Sequence, residues 1–289
     1  MARGGRAKLA GVAVGDGLPV AVMGVVNVSP ESFHPGSVYR GESAILTAGL
    51  AMVEAGAALV DVGARSTAPY LETEIDEAVE AERLARAVET LAAKLPVPVS
   101  ADTARPGPAR AALEAGARVI NDVSTLRDPD VARLVAEHRA GLVIMAAPHQ
   151  PRRAAPRRRT PRARTPAGTV RTLLADGLRR ARRAGIPAAR IVLDPGIGFF
   201  RDEPMPWHEW DVRVLRELSA LRRLGRPLCV GVSRKSFIGA IVERVDTAER
   251  LAGSLAATAI AVLHGAALVR THDVAETRDA VRVAERVRR

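Results

Sequence analysis

Short runs rich in valine, isoleucine and leucine alternate along the chain with longer stretches in which apolar residues recur at helical spacing. The short runs are typical of strands buried in a parallel sheet, and the longer stretches are typical of amphipathic helices that cover it. Strands are predicted near residues 20–27, 58–63, 98–102, 118–122, 141–146, 190–194, 227–232 and 267–271. Helices are predicted near residues 41–55, 73–94, 106–116, 128–138, 168–184, 207–224, 247–265 and 274–288.

Eight strand–helix units in succession favour an α/β fold of the TIM-barrel type, a (β/α)8 barrel forming a single domain over residues 1–289. The alternative is an open, doubly wound sheet. The first predicted strand is not followed by a Gly-x-Gly-x-x-Gly motif, which makes the open sheet the weaker prediction.

One segment breaks the alternation. Residues 147–167 are rich in proline and arginine and have no apolar period, so we expect a loop after the fifth strand. A solvated loop and a non-specific contact with RNA or phosphate are both open interpretations. No aromatic residue lies between the arginines, so base stacking is not supported.

Composition narrows the protein class. Hydrophobic residues make up 47% of the chain but aromatic residues only 3%, which predicts an aliphatic core. A single cysteine, Cys229, excludes an internal disulfide and a cysteine-based zinc cluster. The net charge of +11 favours acidic ligands or non-specific attraction to nucleic acid and does not choose between them. No apolar run reaches the roughly 18 residues of a membrane span, so we expect a cytoplasmic protein without membrane contact.

Polar side chains follow most of the predicted strands. In a barrel of this kind, residues just past the carboxyl ends of the strands converge on one face, where active sites lie. These residues are Asn27, Arg65, Ser66, Thr67, Asp102, Thr103, Asn121, Asp122, Asp194, Lys235, Ser236, Arg270 and His272. Carboxylates and an amide suit a flat heterocycle with several N–H donors, such as a pterin or guanine. Taken singly, Asp102 or Asp122 could instead cap a helix, and Asp194 could hold the Pro-Gly turn that follows it.

Lys235 is unusual because the chain has only three lysines among its 43 basic residues. It lies in 231–239, a segment with two glycines and two serines where a strand gives way to a helix. An ammonium group is a compact point donor, unlike the planar guanidinium fork. A specific contact and a solvated loop position both explain it when it is considered alone.

Several of these stretches together resemble the dihydropteroate synthases, a family of pterin-binding barrels. The matching stretches are 23–33, 61–67, 100–103, 119–124, 193–199, 231–239 and 269–274. The Asp-Pro-Gly at 194–196 and the Ser-Arg-Lys-Ser-Phe-Ile-Gly at 233–239 are the specific motifs. The resemblance covers nearly the whole chain in order.

The resemblance implies a transferase of folate biosynthesis that condenses 6-hydroxymethyl-7,8-dihydropterin diphosphate with p-aminobenzoate, or a related arylamine, and releases pyrophosphate. It implies Mg²⁺ as the cofactor, and a homodimer is a further expectation. By motif position, the pterin-binding residues are Asp102, Asn121, Asp194 and Lys235. The diphosphate-binding residues are Asn27, which also binds the metal, Arg270 and His272. The arylamine-binding residues are Thr67, Pro69, Phe199 and Ser236. The catalytic residues are Lys235, Asp102 and Asp194.

The first and second loops depart from the family pattern. An aspartate of loop 1 and an arginine of loop 2, which can pair in the family, are here Pro35 and Ala68. Arg65, His34 and Tyr70 are candidates for a different loop closure or for binding a more acidic arylamine.

Two alternative functions remain open at this point. A pterin-dependent methyltransferase acting on a corrinoid would keep the pterin site but needs no diphosphate site, so Arg270 and His272 count against it. A non-catalytic pterin-binding or RNA-binding homologue would explain the altered loops, but Lys235 and Ser236 count against it.

Overall fold

The computed structural model describes residues 5–29, 38–39, 41–66, 75–148, 165–201 and 203–288. The strands are β1 (Arg6–Leu9), β2 (Val12–Gly15), β3 (Ala21–Asn27), β4 (Leu59–Gly63), β5 (Val99–Asp102), β6 (Val119–Asp122), β7 (Gly141–Met145), β8 (Ile191–Asp194), β9 (Leu228–Gly231) and β10 (Ala266–Thr271). The α-helices are α1 (Glu42–Glu54), α2 (Glu77–Ala92), α3 (Pro106–Glu114), α4 (Pro129–Glu137), α5 (Pro166–Arg183), α6 (Trp207–Arg216), α7 (Ser236–Val242), α8 (Leu251–Leu263) and α9 (Val274–Arg288).

The eight strands from β3 to β10 form a closed parallel barrel. The ring closes where the last strand, β10, pairs in parallel with the first, β3, so that Leu268 lies opposite Ala21. Each of the eight predicted strands is present within one or two residues of its predicted bounds. The predicted (β/α)8 barrel is therefore confirmed.

Alternate residues of the strands belong to two separate apolar clusters, as the two-residue period of a strand requires. One cluster packs the barrel against its helices, and its core is aliphatic as predicted. The other is a layer across the barrel interior, formed by Met23, Leu59, Val119, Val143, Val192, Cys229 and Leu268. The residues two positions further along these strands are Val25, Asp61, Asn121, Met145, Asp194, Gly231 and Arg270. This next interior layer is largely polar, and we call it the polar layer.

A short antiparallel hairpin, β1 with β2, was not predicted from the sequence. Its turn residues Ala10 and Gly11 both have positive φ, which suits a two-residue hairpin loop. Leu9 and Val14 of the hairpin are fully buried in the interior cluster, so the hairpin covers the end of the barrel opposite the polar layer. Each strand has only four residues, which is too short for a clear alternating pattern to show in the sequence.

The helices follow the predicted pattern with three differences. The predicted helix at 207–224 is α6 followed by a 3-10 segment, Leu218–Leu224. The predicted helix at 247–265 begins with a 3-10 turn, Thr247–Arg250, before α8. The short helix α7, directly after the Lys235 loop, has no counterpart among the predicted helices. In the part of the chain that the structure describes, no helix is long and apolar enough to cross a membrane. Most of the predicted 147–167 loop lies outside the described residues.

Candidate active site

Most of the predicted strand-end residues that the structure describes gather around one cleft at the carboxyl ends of the barrel strands. The cleft is lined by Asn27, Asp102, Asn121, Asp194, Phe199, Lys235, Ser236, Arg270 and His272. The other two predicted site residues, Thr67 and Pro69, lie outside the described residues. All of the predicted site residues that the structure describes therefore share one cleft.

Arg270 is the centre of a charged network in the polar layer. Its Nε donates to Asp61 Oδ2 at 2.7 Å, and its Nη2 donates to Asp102 Oδ2 at 2.8 Å. Asn121 Nδ2 also donates to Asp61 Oδ2, at 3.0 Å. Burial lowers the pKa of Arg270, but the charges of Asp61 and Asp102 outweigh burial and raise it. The guanidinium is therefore a permanent cation between two carboxylates.

Asp61 was not among the predicted site residues. Its side chain is completely buried in β4, where it orients both Arg270 and Asn121. The available sequence signal was a carboxylate in the middle of Leu59–Gly63, a strand whose five residues are all buried. A buried carboxylate is stable only when it is paired and hydrogen-bonded, so such a residue predicts a polar partner inside the barrel.

Among the described residues, only one of the two carboxylate oxygens of Asp102, Oδ2, accepts a side-chain hydrogen bond. Its Oδ1 is buried and has no hydrogen-bond partner among the described residues. Burial raises the pKa of Asp102 from 3.8 to about 7, although Arg270 acts in the opposite direction. Asp102 does not cap α3, because the residue at the N-terminal cap is Arg105. An unpaired buried oxygen is costly, so a ligand that donates an N–H there is favoured.

Asp194 holds a turn and also lines the cleft. Its Oδ1 accepts a hydrogen bond from the Gly196 N–H at 2.7 Å. Gly196 has a φ of 70°, and a Cβ there would lie 2.0 Å from the Ala146 carbonyl oxygen, so no other residue fits. Burial raises the pKa of Asp194, while Lys235 lowers it. The turn and the ligand-binding explanations of this residue are therefore compatible.

Lys235 is not a solvated loop lysine. Its Nζ donates to the Ile197 carbonyl oxygen and lies 5.0 Å from the centre of the Phe199 ring. Burial lowers the pKa of Lys235, and Asp194 raises it. A Cβ on Gly198 would lie 2.9 Å from Lys235 Cδ, so this glycine leaves room for the lysine stem. The ammonium is thereby fixed beside Asp194 at the wall of the cleft.

Asp211 stabilises the loop that carries Gly198, next to Lys235. The sequence analysis did not predict this residue. It lies on α6, is 1% exposed, and its Oδ1 accepts from the Gly198 N–H at 2.8 Å. Burial raises the pKa of Asp211 from 3.8 to about 6. Its position within an amphipathic helix gave no signal that distinguished it from a surface aspartate.

Arg234 and Ser233, from the same specific motif as Lys235, join the β9 and β10 loops. Arg234 binds Asp273 through two hydrogen bonds, of 2.7 and 2.9 Å, and donates to the Thr247 and Ala248 carbonyl oxygens. Ser233 Oγ lies 2.9 Å from Nδ1 of His272. Arg234 is therefore a structural residue, whereas His272 is held at the rim of the cleft.

Arg65 lies at the mouth of the cleft and is bound to a buried carboxylate. Its Nε donates to Glu80 Oε2 at 3.1 Å, and Arg105 and Thr103 bind the same carboxylate. Glu80 is only 1% exposed. The other residues of the altered loops, His34, Pro35, Ala68 and Tyr70, lie outside the described residues.

Asp122 has a structural role. Its carboxylate accepts hydrogen bonds from the backbone N–H groups of Ser124 and Leu126 and shapes the loop after β6. Asp122 is fully buried and is not among the residues that line the cleft. The neighbouring Asn121 therefore points into the site, and Asp122 stabilises the loop behind it.

Comparison with known proteins identifies the family. The sequence profile of the family described as "Pterin binding enzyme" matches residues 23–272. The dihydropteroate synthase of Mycobacterium leprae is 41% identical over 271 residues, covering 92% of each chain. That of Synechocystis is 35% identical over 265 residues, covering 91% of this chain and 89% of the relative.

Solved structures agree over almost the entire chain. A Yersinia pestis dihydropteroate synthase in complex with a sulfonamide drug superposes with a TM-score of 0.85 at 31% identity, covering 98% of each chain. A Xanthomonas albilineans dihydropteroate synthase with 4-aminobenzoic acid has a TM-score of 0.82 at 36% identity, covering 98% of this chain and 97% of that one. The chain therefore belongs to the pterin-binding enzymes and, within them, to the dihydropteroate synthases, the transferases of folate biosynthesis.

Proposed function

We propose that the cleft condenses 6-hydroxymethyl-7,8-dihydropterin diphosphate with p-aminobenzoate and releases pyrophosphate. The observation that carries this proposal is the grouping of Asp102, Asn121 and Asp194 in one buried cup, with Lys235 at its wall. Such a cup offers several acceptors to a flat ring that presents several N–H donors. The similarity of the whole chain to dihydropteroate synthases supports the synthase over a corrinoid methyltransferase or a non-catalytic homologue.

The pterin ring lies against the polar layer in this proposal. Asp102 Oδ1 accepts an N–H, which gives this buried oxygen the partner it lacks. Asn121 donates through Nδ2 to Asp61, so its carbonyl oxygen is the atom left to accept from the ring. Asp194 and Lys235, which line the same cleft, complete the contacts.

The diphosphate lies at the rim, near Asn27 and His272. Arg270 has two of its three nitrogens bound by Asp61 and Asp102, so it acts on the diphosphate through its remaining nitrogen and its charge. The described residues contain no cluster of three or more histidine, cysteine or acidic side chains suited to a metal. A single protein ligand such as the Asn27 side chain nevertheless fits Mg²⁺, which usually keeps several waters and binds through few protein ligands plus substrate phosphates.

Asn27 would thus hold a metal that arrives with the substrate. Bound Mg²⁺ supplies positive charge against the charge that develops on the departing pyrophosphate.

The reaction breaks the bond between the exocyclic methylene carbon of the pterin and the diphosphate oxygen. The carboxylates of Asp102 and Asp194 stabilise the positive charge that develops on the pterin. The aniline nitrogen of p-aminobenzoate forms the new bond to that carbon and then loses a proton. The arylamine lies at the mouth of the cleft against Phe199 and Ser236, so the protein acts chiefly by positioning the reactants.

Pyrophosphate release by the purified protein tests this proposal. With Mg²⁺ and pterin diphosphate present, we expect release only after p-aminobenzoate is added. Tight pterin binding without any release would instead support the non-catalytic homologue. The cytoplasmic location, the homodimer and the RNA contact by residues 147–167 stay predictions.

A further inference from the structure

A second cleft lies beside the β1–β2 hairpin, at the end of the barrel opposite the polar layer. Its volume is about 670 Å³, within the range of about 300–1,000 Å³ that is usual for small-molecule sites. Three arginines, Arg6, Arg222 and Arg288, and one aspartate, Asp16, line it, and its other lining residues are glycines and alanines. We call it the basal cleft. The proposed reaction uses none of these residues.

Each of the three arginines is anchored by part of its guanidinium group. Arg222 Nη2 donates to Asp16 Oδ1 at 2.8 Å, and Arg6 Nε donates to the Asp16 backbone carbonyl oxygen at 2.8 Å. Arg288 Nη1 donates to two backbone carbonyl oxygens, at 2.9 and 3.3 Å, at the end of α8 and the start of β10. The other terminal nitrogens of these side chains form no hydrogen bond within the described part of the chain. They are donors that already have a fixed position.

Glycines make room for two of these guanidinium groups. A Cβ on Gly265 would lie 2.7 Å from Arg222 Cδ, and a Cβ on Gly17 would lie 3.0 Å from Arg6 Nη2. Both glycines have positive φ, of 104° and 74°, which other residues rarely adopt. A larger residue at either position would displace the arginine beside it, so the backbone of the cleft holds these two cations in place.

The basal cleft has more positive than negative charge. Its three guanidinium groups are accompanied by a single carboxylate, that of Asp16, which leaves a net charge of +2. Arg222 Nε is buried and has no hydrogen-bond partner among the described residues. A buried cationic donor without an acceptor is costly, so negative charge in the cleft is favoured.

We propose that the basal cleft binds a small anion with two or more linked phosphate groups. The planar donors of guanidinium match phosphate oxygens. The cleft is larger than a single phosphate requires, and its cations come from three separate elements, β1, the 3-10 segment Leu218–Leu224 and α9. The described residues that line it include no aromatic side chain, so a nucleobase would have nothing to stack on. The ligand class is therefore pyrophosphate and longer polyphosphates rather than nucleic acid.

Calorimetric titration of the full-length protein with inorganic pyrophosphate tests this proposal. For Arg6→Gln and for Arg222→Gln we expect the Kd of the basal site to rise by about 10- to 100-fold, the range for losing one charged hydrogen bond. Inorganic phosphate should bind wild type at least about tenfold more weakly than pyrophosphate, because it reaches fewer of the arginines. Arg6 is exposed, so its loss should leave the fold intact, and thermal unfolding checks both variants.

Arg118→Gln is the matched control, because Arg118 is an exposed arginine just before β6, at the same end of the barrel, and does not line the basal cleft. It removes the same charge and should leave the Kd unchanged. An equal loss in Arg118→Gln would show general electrostatic attraction and would overturn the proposal. Wild-type affinity in both Arg6→Gln and Arg222→Gln, or no binding of pyrophosphate to wild type at millimolar concentrations, would also overturn it.

The affinity for a pterin separates the basal cleft from the proposed active site. Arg270 follows Ala266 by four residues on β10, so the two residues are about 13 Å apart. Pterin binding, and any pyrophosphate bound as a product in the active-site cleft, should therefore be unaffected in Arg6→Gln and Arg222→Gln. A parallel loss of pterin binding would show that these arginines act on the whole fold and would overturn the proposal. If the basal site responds as expected in a protein without turnover, only the reaction proposal fails.

Discussion

Arg270 of the polar layer donates a 2.8 Å hydrogen bond to one oxygen of Asp102, and the second oxygen of Asp102 has no partner among the described residues. The arginine holds the carboxylate in place while leaving one acceptor for a ligand. In the proposed function, this relationship makes Asp102 both a group that binds the pterin and a group that titrates.

Pterin binding should depend on pH through Asp102. Burial raises its pKa to about 7, and a ligand N–H prefers the ionised carboxylate. Below that pKa the ligand must displace a proton, so the affinity should fall by about tenfold per pH unit and level off above it. Calorimetric titration of a pterin across this range measures the effect. Asp102→Asn should bind more weakly and lose the dependence, and an unchanged slope in that variant would contradict the assignment.

Asp194→Asn should weaken pterin binding by about one to two decades, the range for losing one charged hydrogen bond. The fold should remain nearly intact, since an asparagine oxygen can still accept from the Gly196 N–H. Calorimetric titration gives the affinity, and thermal unfolding serves as the control for the fold. Wild-type affinity in this variant would reduce Asp194 to a turn residue.

Lys235→Arg should lower kcat/KM by at least about tenfold although it keeps the charge, because guanidinium has a different size and donor geometry. The close approach of the lysine stem to Gly198 leaves little space for a larger group. Steady-state kinetics measure this loss. Lys94→Arg, at an exposed position after α2, is the control and should have no effect. Wild-type turnover in Lys235→Arg would show that charge alone suffices.

The stability of the Asp211→Asn variant relative to wild type should increase as the pH rises. The folded-state pKa of Asp211 is raised from 3.8 to about 6 by burial, so its protonated form stabilises the fold below the lower value. That contribution, about 3 kcal/mol, is lost as the pH rises through about 6. Asparagine can still accept from the Gly198 N–H, so the variant avoids the cost of ionisation. The Tm difference between variant and wild type should be larger at pH 8 than at about pH 4. A constant difference would argue against a buried titrating carboxyl.

The convergence of most strand ends on one cleft could be predicted from the sequence. Residues such as Asn121 and Asp194 end short apolar runs, and in a parallel barrel all such ends meet on one face. The partnership of Asp61 with Arg270 was not predictable in the same way. It depends on the register between β4, β3 and β10, which hydrogen bonding sets and which the spacing within one strand does not reveal.

Other features of the structure could not be predicted from the sequence for different reasons. Asp211 lies in a helix whose buried apolar positions are occupied by Trp210, Val214 and Leu215. The hydrophobic pattern of the sequence therefore does not indicate that Asp211 is buried as well. The hairpin β1–β2 was missed because four-residue strands give too little periodicity.

The most direct test of the account is to quantify both products of one reaction mixture. Purified protein with Mg²⁺, 6-hydroxymethyl-7,8-dihydropterin diphosphate and p-aminobenzoate should form 7,8-dihydropteroate and pyrophosphate in equal amounts, as measured by mass spectrometry and a pyrophosphate assay. The double variant Asp102→Asn with Asp194→Asn should form neither at a comparable rate. Pyrophosphate without dihydropteroate, or a double variant as active as wild type, would contradict the claim that this cleft is a dihydropteroate synthase active site.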